Sequence, residues 1–211
     1  MRLQLNLVEN NNTVANKILI ALLDPVTEYM NDIIRKIKIE LPSIVSRSIF
    51  NTQEYVSLTS GQLKFELGIP NPEQKITSLL NIWTSNIEYN YIPPRVIAGQ
   101  IKSSFSIGLI KSDFSDVLGT DYAIVRDSSG YQLPWLQWLL LDGNVPLVSN
   151  HQVIMGPSSR SRTGYAIMRK SSQNWKVPSQ FSGTLSDNWI TRALENSSDE
   201  IDALIEKAMI P

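Results

Sequence analysis

The side chains most capable of chemistry are the cations of residues 143–186, a stretch that contains no aspartate or glutamate. They are Arg160, Arg162, Arg169, Lys170 and Lys176. Guanidinium and ammonium groups bind phosphates and carboxylates through charge-assisted hydrogen bonds. The segment is therefore predicted to contact an anionic partner, which is either the phosphate backbone of DNA or the carboxylates of another subunit.

The sign of the charge reverses after residue 186. The following residues carry Asp187, Glu195, Asp199, Glu200, Asp202 and Glu206, against only Arg192 and Lys207. Unlike faces of this kind suit head-to-tail association between copies of one chain. A sequence pI of about 5.9 argues against a dedicated nucleic-acid-binding protein, although such a protein, using residues 160–176, remains the alternative.

Recognised catalytic arrangements are missing from the sequence. The absence of cysteine excludes disulfides, thiolate zinc sites and cysteine nucleophiles. His151, the single histidine, is predicted to be a polar loop residue, and Asp113 and Asp116 are predicted to serve a turn around Phe114. We expect no enzymatic activity, no metal and no cofactor. A hydrolase whose carboxylates meet only in the fold is a third alternative.

Residues 1–50 are predicted to be the most helical part of the chain. Apolar residues from Ile18 to Ile44 recur every three or four positions, which is typical of one helix face. Asp24 as N-cap and Pro25 as first helical residue are expected to restart the helix, and Pro42 marks a second break. The prediction is a long broken helix that packs on the core or forms a wall between subunits. Residues 1–10 alternate apolar and polar, which predicts a strand or an ordered extended segment.

Residues 95–186 are predicted to be mainly β, because short apolar runs alternate with polar residues or are bounded by turn residues. The chain is expected to be β-like from Arg95 to Ile110, and further strands are expected at 122–126, 145–148, 153–155 and 165–168. The last two should form a hairpin whose loop, residues 157–164, protrudes, since it is rich in Gly, Pro and Ser and carries two arginines.

Short helices complete the expected architecture. One covers residues 62–67 after a hydroxyl cap, another begins at Pro134, and the first half of 76–92 is helix-like. Residues 187–211 should form two C-terminal helices, the second opened by a capping box at 197–200. Helices followed by strands and then helices, without a linker, predict a single α+β domain over residues 1–211 with a central antiparallel sheet.

Four tryptophans are predicted to anchor a core or an interface rather than to form a ligand platform. They are Trp135, Trp138, Trp175 and Trp189. The first two are three residues apart on one short helix and should point towards the same side.

Four stretches carry a resemblance to a known family. They read SLTSGQLKFELG (57–68), LPWLQWLLLDG (133–143), SRTGYAIM (161–168), and WKVPSQFSGT (175–184) with DNWITRAL (187–194). Together they resemble virion structural proteins of tailed bacteriophages, from the neck or head-to-tail connector and more loosely from the tail-completion proteins. The resemblance covers most of residues 55–195 and leaves the first 50 residues unmatched.

The resemblance implies a non-enzymatic structural subunit of the head–tail junction. Such a subunit would form a ring of about six or twelve copies, since a head-to-tail contact that closes gives a ring. Its partners would be other neck, portal-adaptor or tail-terminator proteins and the phage DNA in the channel, with no membrane involved. It would be assembled in the host cytoplasm and end in the virion. A tail-completion or tail-terminator ring is the alternative within the same resemblance.

Overall fold

A computed structural model describes residues 10–127 and 129–210, and it confirms the α+β class. The extended segment predicted for residues 1–10 lies outside the described residues except for Asn10. The helices are α1 Asn11–Ala21, α2 Leu23–Phe50, α3 Gln53–Thr59, α4 Gln62–Glu66, α5 Pro72–Ser85, α6 Ser115–Leu118, α7 Trp135–Leu140, α8 Trp189–Glu195 and α9 Ser198–Ala208. The strands are β1 Glu88–Ile97, β2 Gln100–Gly108, β3 Val125–Arg126, β4 Gln132–Leu133, β5 His151–Met155 and β6 Ala166–Lys170.

The long N-terminal helix bends once, at Leu22, rather than at Asp24-Pro25. Leu22 has helical backbone angles and accepts a hydrogen bond from the amide of Val26, so Asp24 does not act as an N-cap. Pro25 falls in the first turn of α2, where its missing N–H would have had no partner. The break predicted at Pro42 is wrong, because α2 continues through this residue to Phe50.

The strands form separate two-stranded antiparallel sheets in the part of the chain that is described: β1 with β2, β3 with β4, and β5 with β6. The β1–β2 hairpin closes through Ala98 and Gly99, both with positive φ, the backbone required by the tightest hairpin turns. The strand predicted at 145–148 reduces to a single bridge between Val148 and Trp175. Turns and loops outnumber strand residues between 95 and 186, so this segment is less β-rich than predicted.

One core joins the helices from both ends of the chain. The inner face of α2, including Ile37 and Leu41, packs with residues of α5, α7, α8 and α9. Arg192 of α8 ties this core to α3, since its Nη2 lies 3.0 Å from Glu54 Oε1. Glu54 is almost fully buried, so this ion pair positions α8 against α3. The helix α3 was not predicted.

The C-terminal helices begin differently from the prediction. Asn188, and not Ser186 or Asp187, caps α8, because its side chain accepts the amides of Ile190 and Thr191 at 3.0 and 3.2 Å. The Thr191 hydroxyl in turn accepts a hydrogen bond from the Asn188 amide, which completes a capping box. The box predicted at Ser197 is wrong, because the Ser197 hydroxyl instead donates to the Leu194 carbonyl.

Candidate functional site

A basic cleft lies between the β5–β6 hairpin and the α4 and α7 region, and its volume is about 920 Å³. Four of the five cations predicted from sequence line it: Arg160, Arg162, Arg169 and Lys170. The fifth, Lys176, is exposed and lies outside this lining. The predicted hairpin is confirmed, with His151 paired to Lys170 and Met155 paired to Ala166. We call this feature the basic cleft.

Arg162 is held in place by the backbone of a distant segment. Its Nε donates to the carbonyl of Gly68 at 3.1 Å, so this part of the hairpin loop docks on the end of α4 while Arg160 remains exposed. Partial burial lowers the pKa of the Arg162 guanidinium, which nevertheless stays protonated at neutral pH. The arginine is therefore a positioned cation on the wall of the cleft.

Gly68 is required by this contact for two reasons. Its φ is +62°, in the left-handed region that favours glycine, and a Cβ here would lie 2.6 Å from Arg162 Nη2. The glycine therefore makes room for the arginine. Nothing in the sequence around Gly68 signals this contact, because Arg162 is 94 residues away.

The remaining cations of the cleft keep their charge available. Arg160, Arg169 and Lys170 are exposed, and none of the ion pairs found within residues 10–127 and 129–210 includes them or Arg162. By contrast, Arg192 contacts both Glu54 and Asp187. The cleft thus concentrates positive charge that the chain itself does not neutralise.

Two tryptophans in the inner part of the cleft pack edge to face. The ring centroids of Trp138 and Trp175 lie 6.0 Å apart in an edge-to-face arrangement. Trp175 is only 7% exposed, and its Nε1 donates to Glu66 Oε2 at 3.0 Å. Both residues line the cleft. Trp175 acts as an anchor, because its ring is too buried for a base to stack on it, whereas Trp138 is half-buried.

Trp135 and Trp189 lie in the core rather than in the cleft. Both are fully buried, and their indole nitrogens donate to the Tyr122 carbonyl and the Thr52 hydroxyl, at 2.9 and 2.7 Å. Trp135 and Trp138 therefore occupy different environments despite their shared helix. Trp83, a further buried tryptophan on α5, was not among the four predicted anchors.

The other groups considered from sequence have local structural partners. His151 begins β5 rather than lying in a loop, and its Nδ1 donates to the Ser149 carbonyl at 2.8 Å. Asp113 accepts the amide of Ser115 at 3.0 Å, and this hydrogen bond lowers the pKa of its carboxyl group. Asp116 accepts from the Asn86 side chain at 3.3 Å. The Asp113 contact agrees with the turn role predicted for it, whereas Asp116 lies in α6 and contacts a side chain 30 residues away.

An acidic stripe runs along the outer side of α8 and α9. It consists of Glu195, Asp199, Asp202 and Glu206, all exposed and spaced three or four residues apart. Glu200, on a neighbouring side of α9, is instead paired with Arg47. The charge reversal seen in the sequence therefore becomes two separate surfaces, the basic cleft and the acidic stripe.

Gly68→Ala should disturb the cleft more than a matched change in the loop. Gly164→Ala has a similar φ of +80° but meets no atom within 4 Å, so it should cost only the left-handed strain of about 1 kcal/mol. Gly68→Ala also displaces the flexible Arg162 guanidinium and so breaks its hydrogen bond to the Gly68 carbonyl, and we expect about 2 kcal/mol in total. Urea denaturation of both variants measures the difference. Equal costs would show that the Arg162 contact is unimportant.

Comparison with known proteins found no matching family model, no matching curated protein and no matching solved structure. Within the parts of the chain that the structure describes, no three His, Asp or Glu side chains are grouped as metal ligands. In those same parts, no helix combines the length and the hydropathy that a membrane crossing needs.

Proposed function

We propose that this chain is a non-enzymatic structural subunit of the head–tail junction of a tailed phage, where copies associate in a ring around the DNA channel. A tail-completion or tail-terminator ring is the alternative within the same proposal. The resemblance of the four sequence stretches supports the family. One structural observation, an exposed apolar stripe at the N-terminal helices, supports self-association.

The apolar stripe consists of Ile18, Leu22, Tyr29, Met209 and Ile210. Their exposed fractions range from 42% for Tyr29 to 66% for Ile210, and α1 contributes no buried residue to the core. The spacing of the first three places them on one side of the helix. The Tyr29 hydroxyl donates to the Met209 carbonyl, which brings the end of α9 to the same side.

An apolar surface of this kind can supply most of the energy of an interface. Burying one Leu or Ile side chain contributes about 1.5–3 kcal/mol, whereas an exposed ion pair contributes about 0–1 kcal/mol. Contiguous apolar patches on a protein surface mark contact sites for other chains. The apolar stripe is thus suited to hold copies together, and the basic cleft and the acidic stripe are suited to orient them.

Mass photometry and negative-stain microscopy of the purified chain test this proposal. We expect uniform rings of about six or twelve copies, the closed product of a head-to-tail contact. Leu22→Asp should reduce the rings to smaller species without changing the melting temperature, because Leu22 is 45% exposed. Val56→Asp is the matched control, since Val56 is 57% exposed on α3, beyond the opposite end of α2.

A wild-type chain that remains monomeric at high concentration contradicts the proposal. If that monomer bound DNA with an affinity that falls steeply with salt, the nucleic-acid-binding alternative would be supported instead. Rings that persist unchanged in Leu22→Asp would show that the copies associate through a surface other than the apolar stripe.

A further inference from the structure

We propose that the basic cleft receives the acidic stripe of a second copy of this chain, so that neighbouring copies join through unlike surfaces. This inference rests on the proposed self-association and specifies which surfaces meet. The cleft supplies Arg160, Arg162, Arg169 and Lys170, and the stripe supplies Glu195, Asp199, Asp202 and Glu206.

The two surfaces are complementary in charge and remain unsatisfied within one chain. In the described residues, no hydrogen bond or ion pair joins a cleft cation to a stripe carboxylate. Helix α9 instead packs on α2, where Lys207 contacts Glu40 and Glu200 contacts Arg47. These two ion pairs lie on the side of α9 that faces α2, and the acidic stripe faces outward.

The elements that carry these surfaces are also similar in length. The eleven residues of α9 span roughly 16 Å at 1.5 Å per residue. The five residue pairs of the β5–β6 wall span about 16 Å at 3.3 Å per residue. The stripe carboxylates on α9, from Asp199 to Glu206, cover roughly 10 Å of this length, so they can face the cations at one end of the hairpin wall.

The interior of the cleft favours a polypeptide over a nucleic acid. Trp175 is only 7% exposed, so its ring does not present the open face that base stacking uses. Glu66 also lines the cleft, where its carboxylate would repel a phosphate backbone. Carboxylates on a helix can approach the cations of the rim without entering this inner part.

Contact between unlike surfaces determines the kind of assembly. The cleft and the stripe belong to different elements, so the contact is heterologous and leaves one free cleft and one free stripe in every dimer. Further copies then add until the ring closes. A two-fold symmetric dimer, by contrast, would form this contact twice and leave no surface free.

Two charge-reversed variants and their mixture test the inference. One variant carries Arg160→Glu and Arg169→Glu in the cleft, and the other carries Asp202→Lys and Glu206→Lys in the stripe, which leaves the acidic first turn of α9 unchanged. All four residues are exposed, so both variants should keep the wild-type melting temperature. We expect each alone to self-associate at least about tenfold more weakly, because two favourable pairs become repulsive.

Mixing the two variants should give the decisive result. The intact stripe of the first variant can bind the intact cleft of the second, and the reversed cleft of the first can bind the reversed stripe of the second. The mixture should therefore form heterodimers that grow into rings in which the two variants alternate. A chain carrying all four changes has both surfaces reversed and should recover ring formation. Glu73→Lys with Glu88→Lys is the control, since both residues are exposed and lie outside the two surfaces.

The outcomes separate this inference from the proposed function. Wild-type rings combined with no heterodimer in the mixture overturn the inference and leave self-association intact. A wild-type chain that never associates overturns both. If the cleft variant loses binding to oligothymidylate while its self-association is unchanged, the cleft serves a nucleic acid and the inference fails.

Discussion

Replacing Trp135 with alanine should lower the free energy of unfolding by about 3–5 kcal/mol, the range for truncating a large aromatic residue in a closed core. Trp135 is fully buried, and its Nε1 donates to the Tyr122 carbonyl at 2.9 Å. The substitution therefore creates a cavity and leaves that carbonyl without its donor. Because Trp135 opens α7, the loss also loosens the contact of α7 with the segment before β3.

Trp138→Ala is the internal control, since this residue lies on the same short helix. Trp138 is half-buried at the cleft, so its removal deletes contact with Trp175 but opens no closed cavity. We expect a cost of about 1–2 kcal/mol, below that of a fully buried aromatic side chain. Equilibrium denaturation in urea measures both values. Equal losses in the two variants would contradict the difference in burial.

The elements that could be predicted are those whose signal is local. The apolar spacing follows the buried face of α2 only from Ile33 to Ile44, since Ile18 and Leu22 are exposed. The sequence Leu133-Pro134 correctly predicted the short helix α7. The hairpin β5–β6 followed from apolar strands on either side of a Gly/Ser-rich loop. In each case neighbours within a few residues determine the conformation, so the pattern is visible in the sequence.

The basic cleft could be predicted only in part. Its cations were recognised from the missing carboxylates of residues 143–186, but their arrangement depends on contacts between distant segments. Arg162 meets Gly68 across 94 residues, and Trp175 meets Glu66 across 109. Periodicity and turn composition report nothing about such pairs, which form only when α4 and the hairpin pack together.

Local signals also failed where tertiary contacts competed with them. The sequence SSDE at residues 197–200 matches a capping box, yet the Ser197 hydroxyl donates to Leu194 at the end of α8. Because α8 ends immediately before α9 begins, the serine serves the first helix instead of capping the second. Pro42 likewise fails to end α2, whose buried residues on both sides, Leu41 and Ile44, hold the helix against the core.

Gly183→Ala should be among the most damaging small substitutions in this chain, with a loss of about 3 kcal/mol from overpacking. An added Cβ would lie 2.5 Å from the Leu139 carbonyl oxygen and 2.7 Å from Asn188 Cβ. Neither neighbour is free to move. Leu139 is fully buried near the end of α7, and Asn188 is fully buried while it caps α8. The alanine must therefore separate two helices or break the cap.

Gly119→Ala is the matched control for this change. Gly119 has an ordinary φ of −78°, and the nearest atom to its added Cβ would be the Ser115 carbonyl oxygen at 3.9 Å. We expect its stability to stay within about 0.5 kcal/mol of the wild type, since a permitted backbone gains slightly from alanine. Thermal unfolding of both variants gives the comparison. A Gly183→Ala chain that melts with the control would mean that α7 and α8 can separate at little cost, and that their close approach at Gly183 does not hold the core together.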